Sequence, residues 1–255
     1  MASLARALFV ALWLPAATVL AAPTIALDIG HSSANPGAVS ARGRGEFHFN
    51  RDLAVQIGRS LDERHFDVHM INLDGAASGL DARTAEARGA DLLLSVHHDS
   101  VQPHYLETWT FGGEDRRYSE HASGFSIFVS RRNPDPARSL ACAVAIGTAL
   151  RGAGFVPSLH HAEPIAGEHR PLADAVNGVY YFDELVVLRT ATQPALLLEA
   201  GVIVNRDEEA LLARSDVQQG IGRAVAQGLA QCLEAQGAAR PDRHQEEGSR
   251  WPSRD

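Results

Sequence analysis

Three apolar runs in this chain end on residues that can bind a metal or move a proton. Ile25-Ala26-Leu27-Asp28-Ile29-Gly30 leads into His31, Leu92-Leu93-Leu94-Ser95-Val96 into His97 and His98, and Pro194-Ala195-Leu196-Leu197-Leu198 into Glu199. A fourth such residue, Glu46, opens an amphipathic stretch. Runs of this kind read as buried strands, and parallel strands present their carboxyl ends to one shared crevice. Two histidines and a glutamate gathered there would make a catalytic zinc set, with the second glutamate left to move protons.

Each of these residues also has an ordinary reading. A histidine after a strand can simply bond a nearby carbonyl, and a carboxylate at a helix start is favoured by the helix dipole alone. Asn50, one helical turn beyond Glu46, falls on the same face and could hold that carboxylate in place. His97 and His98 carry more weight, because a buried strand must satisfy any imidazole it ends on. Strand alternation sends the two to opposite faces, so one of them faces any given metal. Glu199 is the oddest of the set. A carboxylate between Ala-Leu-Leu-Leu and Ala-Gly-Val-Ile-Val sits where desolvation raises its pKa toward that of a general base.

Those residues need a scaffold. The 255 residues suffice for one well-buried α/β domain, and 45% apolar with 21% charged content is ordinary for a globular protein. A formal charge of -8 argues against nucleic-acid binding and supplies no polybasic anchor for lipid. Residues 1–22 have a basic start, an apolar middle and small residues at Ala21 and Ala22, the layout of a cleaved secretory signal. Export would permit a Cys142–Cys232 disulfide across two Ala-rich segments, although two buried thiols are equally compatible.

Strands are expected at residues 24–30, 66–72, 91–98, 124–130, 185–188 and 195–199, and helices at 46–64, 80–90, 135–152, 206–213 and 216–235. Residues 103–121 and 154–179 read as long surface loops, and the polar tail from 237 to 255 as disordered. The alternation implies a single domain spanning 23–236, a mixed and mainly parallel twisted sheet with helices on both faces.

In this order the motifs carry a resemblance. Ala26-Leu27-Asp28-Ile29-Gly30-His31, the Asn35-Pro36-Gly37-Ala38 turn, and Glu46 with Asn50 are similar to the zinc-dependent N-acetylmuramoyl-L-alanine amidases of the Amidase_3 type. Arg83 with Ala87, Ser95-Val96-His97, Val187-Leu188-Arg189, and Pro194 through Gly201 with Asn205 continue it, over roughly residues 24 to 235. The resemblance implies one Zn2+ held by His31, Glu46 and His97, with Glu199 as the catalytic base. The bond cut would join N-acetylmuramic acid to L-alanine in peptidoglycan or muropeptides, in the periplasm; whether a regulatory protein is a further partner stays open at the level of sequence. This chain departs from the family at His98, at Ser32-Ser33 and at Ala200-Gly201-Val202-Ile203.

His160, His161 and Glu163, with Glu168-His169-Arg170, form a rival metal set by composition, beside the ordinary reading of a solvated surface loop, which suits His169 best. His160, His161 and Glu163 could instead line the substrate cleft or donate a proton to a leaving amine. His98, His161, Glu163 and Arg189 are therefore the candidate substrate contacts. Two other functions remain compatible with the residues: a zinc peptidase acting on stem peptides, and a non-catalytic peptidoglycan-binding or regulatory protein on the same scaffold.

Overall fold

The computed structural model describes residues 22–77 and 79–238. Residues 1–21 of the expected signal and 239–255 of the expected tail lie outside them. The last helix continues to Ala238, so it overlaps the first two residues of that tail.

Among the described residues seven strands make one sheet: β1 (Thr24–Ile29), β2 (Asp67–Ile71), β3 (Leu92–Asp99), β6 (Ser126–Val129), β7 (Leu172–Asp174), β8 (Val179–Tyr181) and β9 (Ala195–Val202). Their spatial order is β2-β1-β3-β9-β6-β8-β7. The pairs β1/β2, β1/β3, β3/β9 and β6/β8 are parallel, whereas β6/β9 and β7/β8 are antiparallel. The sheet is mixed and mainly parallel, as the alternation of elements implies.

The three central strands are apolar on both sides because helices cover both sides. Ile25, Leu27, Ile29, Leu92, Leu94, Val96, Leu196 and Leu198 point into the larger core. That core is closed by α1 (Glu46–Asp62), α3 (Pro136–Gly152) and α6 (Ser215–Ala238), and α1 and α3 both pack on α6. In α1 the buried Phe49, Leu53, Ile57 and Leu61 recur every four residues, the stripe that a helix lays on a sheet. The alternate positions Ala26, Leu93, Ala195 and Leu197 face a smaller core under α4 (Val186–Thr190), against which α2 (Leu80–Glu86) packs. A short helix, α5 (Arg206–Leu212), follows β9 and is capped by the Asn205 side chain.

Cys142 of α3 and Cys232 of α6 form a disulfide, with Cα atoms 5.1 Å apart. Of the two readings left open by the sequence, the structure has the bond.

Three elements differ from expectation. Residues 103–121 are not irregular: a 3-10 turn at Pro103–Tyr105 precedes an antiparallel hairpin of β4 (Glu107–Phe111) and β5 (Glu114–Tyr118). Its strands are mostly exposed, so they show no apolar alternation. The turn Gly112-Gly113 has φ of 63° and 84°, and that Gly-Gly pair was the hairpin's readable signal. Of residues 185–188, expected as a strand, 186–188 belong to α4 and Leu185 is its N-cap. The β-branched Val186 and Val187 favour extended structure, but packing against α2 and β9 overrides that preference. Finally, the second long loop contains β7 and reaches β8 at Val179.

Candidate metal centre and cleft

Because strand residues alternate, Ser95, His97 and Asp99 share one face of β3, and His98 takes the other. β3 and β9 run parallel with His97 opposite Glu199, so these two side chains stand next to each other on the same face. β1 delivers His31 beside them, and the turn after it returns the chain to Glu46 at the first position of α1.

The Glu46 carboxylate lies between two imidazoles. Its Oε2 is 2.9 Å from His31 Nε2 and its Oε1 is 3.0 Å from His97 Nδ1. Both oxygens are also held by the chain: the Ala38 N–H donates to Oε2 at 3.0 Å, and Asn50 Nδ2 donates to Oε1 at 3.1 Å. Burial acts to raise the pKa of Glu46, but hydrogen bonds from His31 and His97 outweigh it and hold the group well below the usual carboxylate range. The ligand atoms of His31, Glu46 and His97 all lie within 4.8 Å of one another.

Two glycines make this approach possible. A Cβ on Gly30 would sit 2.3 Å from the His97 ring, and one on Gly37 would sit 2.3 Å from Glu46 Oε2 and 2.6 Å from the His31 ring. Gly37 also has φ of 77°, which favours glycine on its own. His31 itself adopts φ of 65°, a costly conformation for a side-chain-bearing residue. Its carbonyl accepts from Asn72 Nδ2 at 2.7 Å and from the Arg83 guanidinium, which hold it there. Arg83 in turn faces Asp28, a buried carboxylate whose other oxygen accepts from Ser95 Oγ at 2.7 Å.

His98 is not at the cleft surface. It is buried beside Phe49, and its Nδ1 is 2.8 Å from Asn50 Oδ1. Since the Asn50 amide already donates to Glu46 and Gly30, its oxygen must accept from His98 Nδ1–H. Burial pushes the His98 pKa down to about 3, so the ring stays neutral. The expected substrate contact is instead the far end of a chain His98–Asn50–Glu46 that steadies the carboxylate from beneath.

Glu199 is the opposite of Glu46. Burial first, then the nearby Asp99 and Glu46 carboxylates, raise its pKa well above the ordinary value. Its Oε2 is buried with no hydrogen-bond partner. It lines a cleft of ≈270 Å³ whose wall also includes Asp99, Phe128, His161, Glu168 and Arg170. His161 therefore reaches the cleft, as expected. Glu163 and Arg189 are not among the lining residues. Glu163 is tied to His121 Nε2 at 2.7 Å and Tyr105 Oη at 2.9 Å, and Arg189 is an exposed residue in the last turn of α4.

Asp99 is the residue the sequence reading missed. It accepts at one oxygen, Oδ2, from His161 Nε2 at 2.8 Å, and His160 Nε2 lies 3.2 Å from the same atom. Its signal was its place two residues beyond His97, on the same strand face.

Comparison with known proteins bears on the family and the fold. The Amidase_3 family, described as N-acetylmuramoyl-L-alanine amidase, matches residues 25–231. N-acetylmuramoyl-L-alanine amidase AmiC of Neisseria meningitidis is 24% identical over 216 residues, which cover 81% of this chain and 52% of that protein. AmiA of Salmonella typhimurium is 23% identical over 80% of this chain and 74% of its own length. The chain thus spans about half the length of the first relative and three quarters of the second. In fold it is similar to the crystal structure of the N-acetylmuramyl-L-alanine amidase Ami1 from Mycobacterium smegmatis, with a TM-score of 0.67 at 19% identity, covering 84% of this chain and 99% of that one. With a family match over most of its length and a sheet of the same kind, the chain belongs to the Amidase_3 family of N-acetylmuramoyl-L-alanine amidases.

Proposed function

We propose that this chain is an exported zinc amidase that hydrolyses the amide joining N-acetylmuramic acid to L-alanine in peptidoglycan. The observation that carries the reading is the half-buried Glu199 with its buried, unpaired Oε2, next to His97 of the His31–Glu46–His97 cluster. The cluster suits zinc: two imidazoles and a carboxylate that converge, with glycines where a larger residue would block the approach. His31, Glu46 and His97 would hold the ion, and Asn50 would fix the Glu46 carboxylate. When bound, zinc supplies a Lewis acid that acidifies water and polarises the amide carbonyl.

Glu199 does the proton work. Its raised pKa matches a group that takes a proton from the attacking water and returns it to the departing amine. No protein donor occupies its Oε2, which leaves that oxygen free to accept the proton. Phe128, Phe182 and Leu185 supply apolar wall to the cleft that Glu199 lines. Export is supported by the leader-like residues 1–22 and by the disulfide, a bond that persists in oxidising compartments. No helix among the described residues is long and apolar enough to cross a membrane.

Mass spectrometry of digested sacculi and soluble muropeptides, with and without chelator, tests the reading. The expected products are glycans with intact lactyl groups and peptides with free L-alanine amino termini, formed only without chelator. Cleavage inside the stem peptide would replace the amidase with a peptidase. Absence of any cleavage by zinc-loaded protein would leave the binding or regulatory role.

A further inference from the structure

We propose that Asp99, His160 and His161 form a second divalent-cation site, separate from the His31–Glu46–His97 cluster. The ligand atoms of these three residues lie within 4.8 Å of one another, and all three side chains are largely buried. Both histidines aim Nε2 at a single oxygen, Asp99 Oδ2, at 3.2 and 2.8 Å. Donors on a tetrahedral zinc, each about 2.0–2.1 Å from the ion, stand roughly 3.4 Å apart. Only a small outward shift of the donors would admit the ion.

The opposite ring nitrogens are already occupied in the way metal-bound histidines require. His161 Nδ1 is 2.8 Å from Glu168 Oε2, and His160 Nδ1 is 2.8 Å from Ser158 Oγ. Such partners fix the tautomer and turn the other nitrogen toward a metal. Glu168 is anchored too, by Gln102 Nε2 at 2.8 Å.

An imidazolium paired with two carboxylates would account for His161 alone. It does not account for His160, whose Nε2 is buried, aimed at the same point, and makes no hydrogen bond. Two imidazoles and one carboxylate favour zinc or another first-row transition ion over calcium or magnesium, which take all-oxygen shells. Asp99 belongs to β3, whereas His160 and His161 lie on the connection between α3 and β7. The ion would therefore clamp that connection to the end of the sheet, at the wall of the cleft that holds Glu199.

Metal content of the full chain tests the proposal. After saturation with zinc and removal of unbound ion, wild-type protein is expected to hold two equivalents. The variant with His160→Gln and His161→Gln should hold one, that with His31→Ala and His97→Ala should hold one, and the fourfold variant none. Stoichiometric titration of unaltered wild-type protein needs no variant to fold, and it should saturate at two equivalents. As a gentler change, Glu168→Gln should weaken uptake of one equivalent by about 10–100-fold. Undiminished zinc in the His160→Gln, His161→Gln protein, including a single wild-type equivalent that this variant retains, overturns the second site. Retention of both equivalents after His31→Ala and His97→Ala would instead overturn the first, so the two failures are distinguishable.

Discussion

Two histidine–carboxylate clusters stand on one face of β3, two residues apart along the strand, and they are built differently. In the first, the carboxylate is central: Glu46 lies between two imidazoles and is braced by a backbone N–H and by Asn50. In the second, one Asp99 oxygen faces two adjacent imidazoles whose rings are 3.9 Å apart, and the bracing residues, Ser158 and Glu168, come from the same connection as the histidines. The first cluster is thus assembled from two strands and a helix start, and the second from one strand end and one connection. A site carried on regular elements is held where chemistry needs it, whereas one carried on a connection can hold the connection itself.

The strongest way to break that contrast is to remove each cluster in turn. His97→Ala is expected to abolish hydrolysis of sacculi, whereas His161→Gln should leave measurable turnover; equal loss would mean that both clusters serve the reaction directly. Next in size, Glu199→Gln should lower turnover by about 10²–10⁴-fold with zinc content unchanged. A parallel loss of metal would recast Glu199 as a ligand. Replacing both cysteines by serine should cost about 4 kcal/mol of stability, since the bond closes a loop across a separation of 90 residues, and leave metal content intact. Denaturant unfolding and metal analysis of the same sample check both parts. Asn50→Ala should weaken zinc binding about 10–100-fold, and only at the first cluster. Arg189→Ala, at an exposed position outside the cleft, should change turnover less than about twofold, within the range of neutral surface substitutions.

The sheet was legible because its central strands are continuous apolar runs, and the first cluster was legible because its residues end or follow those runs. His98 was harder. The sequence showed that His97 and His98 point to opposite faces, but only the packing against Phe49 and Asn50 shows what the second face contains. The β4–β5 hairpin left no apolar alternation, because neither of its faces is well buried. The second cluster was half visible: the histidines attract notice by composition, but Asp99, their partner across more than 60 residues, could be joined to them only by the fold.

The strand that carries Glu199 is the last strand of the sheet in chain order, yet it lies in the middle of it. Until β9 is placed, β2-β1-β3 and β6-β8-β7 are two sheets with no strand pairing between them. Completion of the sheet and delivery of Glu199, the proposed proton acceptor, are therefore one event. On the proposed reading, a nascent or clipped chain lacking β9 would have His31, Glu46 and His97 but not Glu199, so amide cleavage would arrive only with a finished sheet.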